Sequence, residues 1–281
     1  MKNLKVLTLL FSVGAVFSTG CSNKNDENIL KIGLECNYAP FNWSEAKENE
    51  FTLPIYNDSG KFADGYDIQM AKRISKSLNR EVRIYKLEWD GLIINLNNKV
   101  IDAVIAGMTD TEERRQSISF TDEYYRSELV LIAKKSASAT VEGKTLGHDE
   151  LSSMIGGKII ESQRSTVTDD VIGTFEKDYG SIHATAVDSF AKAALDVESG
   201  AVFAMTAELP VAQSITTQYP DLGIIHIEQE ILGVDLSSLG VSIGIRKNDD
   251  TLKEELNGVL KEYTTEEQNA DMIAAVNRSG E

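Results

Sequence analysis

The sequence predicts an α/β fold made of two compact units with a cleft between them. The chain has 281 residues, which is more than one typical domain needs. From residue 30 onward, short apolar segments alternate with amphipathic helical patterns, as in a mainly parallel sheet that is covered on both faces. This alternation occurs twice, over 30–106 and again over 158–227, so two such units are expected.

The first alternation predicts a β-α-β-α-β unit. Its first helix carries Ile68, Ala71 and Ile74 on one stripe, which is the spacing of an amphipathic helix that packs on a sheet. The expected elements are, in order, strand 30–35, helix 66–79, strand 81–87, helix 89–99 and strand 102–106. A further strand is predicted over 127–135.

The second alternation predicts a similar unit, and two helices end the chain. Its expected elements are strand 158–161, helix 166–179, strand 182–187, helix 189–199, strand 202–206, helix 209–219 and strand 223–227. Residues 240–245 alternate as one more strand, before helices over 251–263 and 266–277. Thr264 or Thr265 is the expected N-cap of the last helix.

Composition and charge exclude several classes of protein. Hydrophobic residues make up 42% of the chain, so a sizeable core is expected. The net charge of -16, with no basic stripe, argues against binding to nucleic acid. His148, His183 and His226 are far apart and lack ligand spacing, and two cysteines form no metal motif. The sequence therefore predicts neither a metal site nor another cofactor.

The N-terminus predicts export. Lys2 and Lys5 precede an apolar run over 6–17, which is shorter than the about 20 residues of a transmembrane helix. The small residues before Cys21 resemble a bacterial lipoprotein processing site. This resemblance implies that 1–20 is a signal peptide, that Cys21 is lipidated and that 21–29 is a polar tether to the membrane. The alternative is an ordinary signal peptide followed by a chance cysteine.

Two segments carry chemical motifs. Residues 240–244, GVSIG, match the nucleophile elbow of hydrolases, but their strand-like alternation keeps Ser242 away from a turn, so we interpret the match as chance. Residues 107–115, GMTDTEERR, predict a helix N-terminus, where free backbone N–H groups attract anions. Arg114 adds a fork suited to a carboxylate. The alternative for Arg114 is a surface ion pair.

Three segments carry a family resemblance: GLECNYAPFNW at 33–43, GYDIQMAKRI at 65–74, and WDGLIINLNNKVIDAVIAGMTDTEERRQSISFTDEYY at 89–125. Weaker matches are SQRST at 162–166, AELPVA at 207–212 and LGVSIGIRKNDD at 239–250. Together they resemble the extracellular solute-binding proteins of family 3, the amino-acid-binding proteins of ABC importers.

The resemblance implies a two-lobed periplasmic-binding-protein-like fold of type II. Two crossover hinge strands, near 131–134 and 238–243, would flank a central ligand cleft. Lobe 1 would then comprise 30–131 and 239–281, and lobe 2 would comprise 132–238.

The resemblance also assigns roles to residues. It implies that Arg114 binds the α-carboxylate of a ligand, that Gly107 and Thr109 donate to this group through backbone and hydroxyl, and that Thr166 contacts it from lobe 2. Glu208 stands where the family usually has an aspartate that binds the α-ammonium. A zwitterion needs one cationic and one anionic partner, both shielded from water, because buried charges must be paired.

Four further residues are expected to line a side-chain pocket: Glu35, Tyr38, Phe41 and Trp89. Aromatic faces can stack on a guanidinium, an ammonium or a planar amide. Glu35 can pair with a basic side chain or accept from an amide, so arginine, lysine, ornithine and glutamine remain open. The alternative for Tyr38 and Phe41 is a core position. Arg164 departs from the small residue that is common at its place in the family.

The predicted function is capture of a free polar L-amino acid, basic or glutamine-like, by a monomer outside the cytoplasm. Lobe closure would then present the loaded form to the membrane permease of an ABC importer. One alternative is a fold-related dehydratase acting on arogenate-like or prephenate-like acids, with Glu35 or Glu208 as general acid. Another is an amino-acid sensor without a transport role.

Overall fold

The computed structural model describes residues 28–235 and 239–280. The expected signal peptide over 1–20 and the expected lipidation site, Cys21, lie outside the described residues. Within the two described ranges, no helix is both long enough and apolar enough to cross a membrane.

The strands are β1 (Ile29–Leu34), β2 (Asn37–Tyr38), β3 (Asn42–Glu45), β4 (Leu53–Pro54), β5 (Phe62–Asp64), β6 (Glu81–Lys86), β7 (Ala103–Val104), β8 (Ser119–Arg126), β9 (Leu129–Lys134), β10 (Thr145–Leu146), β11 (Ile159–Glu161), β12 (Ile182–His183), β13 (Ala204–Glu208), β14 (Leu222–Ile227) and β15 (Gly240–Ile245). The α-helices are α1 (Tyr66–Leu78), α2 (Leu92–Asn97), α3 (Glu112–Arg115), α4 (Lys135–Ser138), α5 (His148–Ile155), α6 (Val167–Tyr179), α7 (Phe190–Ser199), α8 (Leu209–Gln218), α9 (Asp250–Lys261) and α10 (Thr265–Ser279).

The first lobe is built on a five-stranded sheet of order β6-β1-β7-β15-β8. Strand β1 pairs in parallel with β6 and β7, as the first alternation predicts. Strand β15 runs antiparallel to both β7 and β8. The sheet is therefore mixed rather than mainly parallel, because β15 enters it from the second lobe and not through a helical crossover.

The second lobe is built on a six-stranded sheet of order β10-β14-β9-β13-β11-β12. Strands β11, β12 and β13 are parallel to one another, whereas β9 lies antiparallel between β13 and β14. The parallel part follows the predicted second alternation. Its core contains Phe175, Ile160 and Ile225, all buried.

A small antiparallel sheet of order β2-β3-β5-β4 extends the first lobe. Its longest strand has four residues, and it spans a part of the chain for which the sequence predicts no regular element. Backbone hydrogen bonds tie it to α1, since the N–H groups of Tyr66 and Asp67 donate to the carbonyls of Pro40 and Phe41. The small sheet thereby fixes the loop that follows β1.

The chain crosses between the two sheets twice. It leaves the first sheet after β8 and enters β9 after two intervening residues, and it returns between β14 and β15. Of the hinge positions implied by the family resemblance, the one near 131–134 differs from the first crossing, whereas the one near 238–243 overlaps the end of the second. Residues 131–134 lie inside β9 of the second sheet, and 240–243 lie inside β15 of the first. The first crossing is thus at 127–128.

The predicted helices are confirmed with small shifts at their ends, and their caps explain the ends. Thr166 begins α6 by accepting the backbone N–H of Asp169, and Gly180 ends this helix in the left-handed conformation. Thr264 is the N-cap of α10, where it forms a capping box with Glu267. The helix predicted over 89–99 is a 3₁₀ turn at 89–91 followed by the shorter α2.

The C-terminal helix α10 contacts both lobes. Arg278 makes a two-pronged ion pair with the buried carboxylate of Asp64 in the small sheet, at 2.9 and 3.1 Å. One residue later, the hydroxyl of Ser279 lies 2.7 Å from that of Ser214 in α8, which belongs to the second lobe. The end of α10 therefore spans the lobe interface away from the crossings.

Candidate ligand-binding site

A cavity lies between the lobes, and eight of the nine predicted site residues line it, all except Phe41. Six come from the first lobe: Glu35, Tyr38, Trp89, Gly107, Thr109 and Arg114. Two come from the second lobe: Thr166 and Glu208. Gln163, Val167 and Phe190 also line the cavity, although no sequence pattern indicates them.

Arg114 is the cation of the cavity. Thr111 is the N-cap of the short helix α3, and its side chain accepts the backbone N–H of Arg114. This bond fixes the backbone from which the Arg114 side chain extends. The guanidinium donates to the carbonyls of Thr109 at 2.7 Å and Ser165 at 2.8 Å. It also lies 5.1 Å from the centre of the Trp89 ring. Two of its five N–H donors are used by these carbonyls, so three remain for an anion.

The guanidinium has no carboxylate partner within 4 Å among residues 28–235 and 239–280. Burial lowers the pKa of Arg114 to about 10, although Asp170 and Glu113 act against this shift. The predicted alternative of a surface ion pair for Arg114 is therefore wrong. That role belongs to the neighbouring Arg115, which is exposed and pairs with Asp110 at 2.7 Å. A half-buried cation without a carboxylate partner favours binding of an anion.

Gly107 occupies a position that only glycine can fill. Its φ is +59°, and a Cβ atom there would lie 2.8 Å from the Tyr38 ring and 3.2 Å from the Phe41 ring. Its backbone N–H already donates to the hydroxyl of Tyr124 at 3.0 Å. The donation from Gly107 to a ligand carboxylate that the family resemblance implies would have to replace this bond. The carbonyl of Gly107 is its other polar backbone group.

The second lobe contributes a helix N-terminus. Thr166 stands at the start of α6, but its hydroxyl donates to the carbonyl of Gln163 at 2.6 Å and accepts from Asp169. A contact from Thr166 to a ligand therefore has to come from its backbone N–H. The carbonyl of Ser165 accepts from both Arg114 and the indole N–H of Trp89, the latter at 3.2 Å. These bonds join the two lobes directly.

Glu35 is a buried carboxylate at the end of β1. It is 3% exposed, and Oε1 accepts a hydrogen bond from the side-chain amide of Gln163 in the second lobe, at 3.0 Å. Burial raises the pKa of Glu35 to about 7, and the Gln163 bond only partly offsets this shift. An ionised Glu35 in this position would be stabilised by a cation.

Glu208 is the second carboxylate of the cavity. It ends β13 and immediately precedes α8, and it accepts a 2.6 Å hydrogen bond from the hydroxyl of Tyr38. Burial raises the pKa of Glu208, whereas the Tyr38 bond lowers it. Tyr38 also stacks on Phe190 of the second lobe, with ring centres 4.8 Å apart. The Tyr38 side chain thus lies at the lobe interface.

Phe41 does not line the cavity; it is 1% exposed and stacks behind Tyr38 at 5.1 Å, so its predicted alternative as a core residue is confirmed. Ser242 of the GVSIG segment lies inside β15 and is buried, as the interpretation of a chance match expects. Its N–H donates to the carbonyl of Met108.

Gln163 and Phe190 line the cavity although neither has a clear signal in the sequence. Gln163 lies in the SQRST segment, which was recognised only as a weak match, and an amide gives no charge signal. Phe190 begins α7 and looks like an ordinary core residue. Both acquire their role only when the lobes meet.

One cation and two carboxylates thus line a single enclosed cavity. This set can neutralise a small molecule that carries one carboxylate and two positive charges, and closure of the lobes shields the pairs from water. The aromatic rings of Tyr38, Trp89 and Phe190 provide apolar walls.

A two-lobed α/β fold with a charged cavity enclosed at the lobe interface defines the class of binding proteins that close on a small polar solute. The chain belongs to the bacterial extracellular solute-binding proteins, family 3, whose model matches residues 30–275. It is 27% identical to ABC transporter arginine-binding protein 1 of Escherichia coli strain K12, over 92% of both chains.

Solved structures agree with this assignment. An amino acid ABC transporter substrate-binding protein from Streptococcus pneumoniae, bound to L-arginine, has a TM-score of 0.72 and 22% identity, covering 91% of this chain and 98% of that chain. At this identity the likeness concerns the fold alone. An ancestral arginine-binding protein bound to arginine has a TM-score of 0.67 and 26% identity, covering 89% of this chain and 97% of that chain.

Proposed function

We propose that this protein captures L-arginine outside the cytoplasm and delivers it to the membrane permease of an ABC-type importer. The observation that supports the proposal is the charge set of the cavity, which is lined by one cation, Arg114, and two carboxylates, Glu35 and Glu208. Arginine carries the complementary set, namely one carboxylate and two cationic groups. Several relatives are named for the same ligand, whereas others are named for cystine or histidine.

In the proposed complex, Arg114 and the N-terminus of α6 bind the ligand carboxylate. The hydroxyl of Thr109 donates to the same carboxylate, and Glu208 binds the α-ammonium. Glu35 pairs with the guanidinium, and Trp89 provides an aromatic face. Glutamine would leave one carboxylate without a cation, so the buried charge of Glu35 disfavours it.

Delivery requires that the lobes open and close. We propose that closure turns on the crossings at 127–128 and 228–239, so that lobe 1 comprises about residues 28–126 and 240–280, and lobe 2 lies between the crossings. In the same proposal, 1–20 is a signal peptide, a lipid on Cys21 tethers the monomer to the membrane, and the loaded, closed form is what the permease recognises. The dehydratase alternative has less support, because the relatives found are binding proteins.

Thermal unfolding of the chain without residues 1–21 tests the ligand. At 1 mM, a ligand with a micromolar dissociation constant stabilises by about 4 kcal/mol, which is several degrees for a chain of this size. We expect a large shift with L-arginine and little shift with L-citrulline, its uncharged analogue. Arg114→Ala should remove the shift, whereas Arg115→Ala is the matched control that should keep it.

No shift with any of the basic amino acids would contradict the proposal. A shift with glutamine that equals the one with arginine would show that Glu35 does not select charge. Arginine uptake by cells that lack the gene tests the transport role separately.

A further inference from the structure

Two loops of the first lobe carry residues that line the cavity, and both are connected by hydrogen bonds to one buried carboxylate. Loop 35–42 follows β1 and contains Glu35 and Tyr38. Loop 107–109 follows β7 and contains Gly107 and Thr109. Asp67, in the first turn of α1, is fully buried and does not touch the cavity, yet hydrogen bonds connect it to each loop.

The first connection passes through Asn42. Its side-chain N–H₂ donates to Oδ2 of Asp67 at 2.8 Å, and its side-chain oxygen accepts the backbone N–H of Cys36 at 2.7 Å. Cys36 has a φ of +58°, which is uncommon for a residue other than glycine, so this bond helps to hold the turn directly after Glu35. The hydroxyl of Ser44 donates to the carbonyl of Cys36, so both backbone polar groups of Cys36 are hydrogen-bonded.

The second connection passes through Tyr124. Its hydroxyl donates to Oδ1 of Asp67 at 2.6 Å and accepts the backbone N–H of Gly107 at 3.0 Å. The ring of Tyr124 stacks on Tyr66, and the hydroxyl of Tyr66 donates to the carbonyl of Tyr124. Loop 107–109 is therefore held at its first residue by a bond chain that also ends on Asp67.

The direction of the donors favours an ionised carboxylate, which is the form above pH 7 because burial raises the pKa of Asp67 to about 7. In each chain, a backbone N–H donates to a side-chain oxygen, and that side chain donates onward to one oxygen of Asp67. A carboxylate accepts at both oxygens, whereas an amide would present an N–H₂ group to one of the two chains. Asp67, Asn42 and Tyr124 are all fully buried, so water cannot replace a lost acceptor.

We propose that Asp67 is a positioning residue that holds loop 35–42 and loop 107–109 in fixed relation, so that the site binds the side-chain end and the main-chain end of one ligand together. The proposal rests on the proposed amino-acid-binding function. The two hydrogen-bond chains from Asp67 can be tested separately. Asn42 connects it to loop 35–42, and Tyr124 connects it to loop 107–109. A residue that merely stabilises the core would not separate the two ends of the ligand.

Calorimetric titration of three variants with L-arginine and L-citrulline at pH 8 tests the role of each hydrogen-bond chain. Tyr124→Phe should weaken both ligands by the same factor, about tenfold, and leave the preference for arginine unchanged. Asn42→Ala should reduce the preference for arginine over citrulline by about tenfold, because Glu35 loses its position. Asp67→Asn should show both effects. Unfolding of each ligand-free variant shows that it is folded.

Two results would overturn the proposal. One is a set of folded variants that are less stable but keep the affinity and the preference of the unchanged chain. The other is a Tyr124→Phe variant that loses preference rather than overall affinity, and this outcome decides the matter even if Asn42→Ala does not fold. Failure of the unchanged chain to bind arginine would instead count against the proposed function.

Discussion

The hydroxyl of Tyr38 donates a 2.6 Å hydrogen bond to the carboxylate of Glu208, so a side chain of the first lobe stabilises the anion of the second. Two opposing effects act on the pKa of Glu208. Burial raises the pKa of Glu208, and the hydrogen bond from Tyr38 lowers it. Tyr38 therefore helps to keep Glu208 ionised and at the same time joins the lobes.

Replacing Tyr38 by phenylalanine removes the hydroxyl and keeps the ring that stacks on Phe190. We expect the affinity for arginine to fall by roughly tenfold, since the loss of a hydrogen bond to a charged group costs about 1.5–3 kcal/mol. The pKa of Glu208 should rise further, so the loss should be larger at pH 6 than at pH 8. Calorimetric titration at both pH values measures this difference.

Tyr125→Phe is the matched control for that experiment. Tyr125 is half-buried and packs edge-on against Phe41, but it does not line the cavity. Its replacement should leave the affinity for arginine unchanged. An equal loss in both variants would mean that the effect of Tyr38→Phe reflects general aromatic packing.

Glu35 should make arginine binding depend on pH. Its pKa is about 7 without ligand, and pairing with a guanidinium needs the ionised form. Affinity should therefore be constant above pH 7 and fall by up to tenfold per pH unit below it, until the lower pKa of Glu35 in the complex is reached. Glu35→Gln should be weaker at pH 8 and should lack this slope. An unchanged slope in Glu35→Gln would assign it to another group.

The same carboxylate should cost stability when the cavity is empty. The folded-state pKa of about 7 exceeds the ordinary value of 4.5, so the folded chain binds more protons and its stability falls as pH rises from about 4.5 to 7. A shift of this size corresponds to roughly 3 kcal/mol. Ligand-free Glu35→Gln should thus unfold at higher urea than the unchanged chain at pH 8. The two should converge near pH 4.5, and a constant difference would contradict the prediction.

Arg164 should favour the closed form through a contact that depends on salt. From the second lobe it reaches Asp90 of the first at 2.6 Å, and it also pairs with Asp188. About half of each side chain in the Asp90 pair is exposed, so we expect Arg164→Ala to weaken arginine binding less than tenfold. The difference should shrink in 1 M salt. Arg83→Ala, which breaks a pair within one lobe, is the control.

The sequence predicts the elements whose signals are local. Helix α1 has a regular apolar stripe, and α10 has a capping box within four residues, so both were expected at nearly their observed bounds. The small sheet was not expected, because its strands have two to four residues and pair across turns rich in polar residues. Strand β8 was missed because its main partner, β15, lies more than 100 residues away in the chain.

The residues of the site likewise divide into those with a local signal in the sequence and those that depend on distant partners. Arg114 could be proposed because a cation at a helix start has a physical signal in the sequence, whereas Glu208 could be proposed only through the family resemblance. Asp67 could not, since an acidic residue in the first turn of a helix is ordinary on a solvated surface. Its role depends on Asn42 and Tyr124, which reach it from other parts of the chain. Such bonds leave no periodic pattern in the sequence.

The indole of Trp89 gives the molecule a built-in optical signal. Its N–H bonds to the carbonyl of Ser165 across the cleft, and its ring faces Arg114. Opening of the lobes would break this bond and admit water to the indole, so tryptophan fluorescence should change with the arginine concentration without any attached dye. The chain has two tryptophans, and Trp43 lies in the small sheet outside the cavity. Trp43→Phe would therefore leave a single emitter placed where the lobes meet.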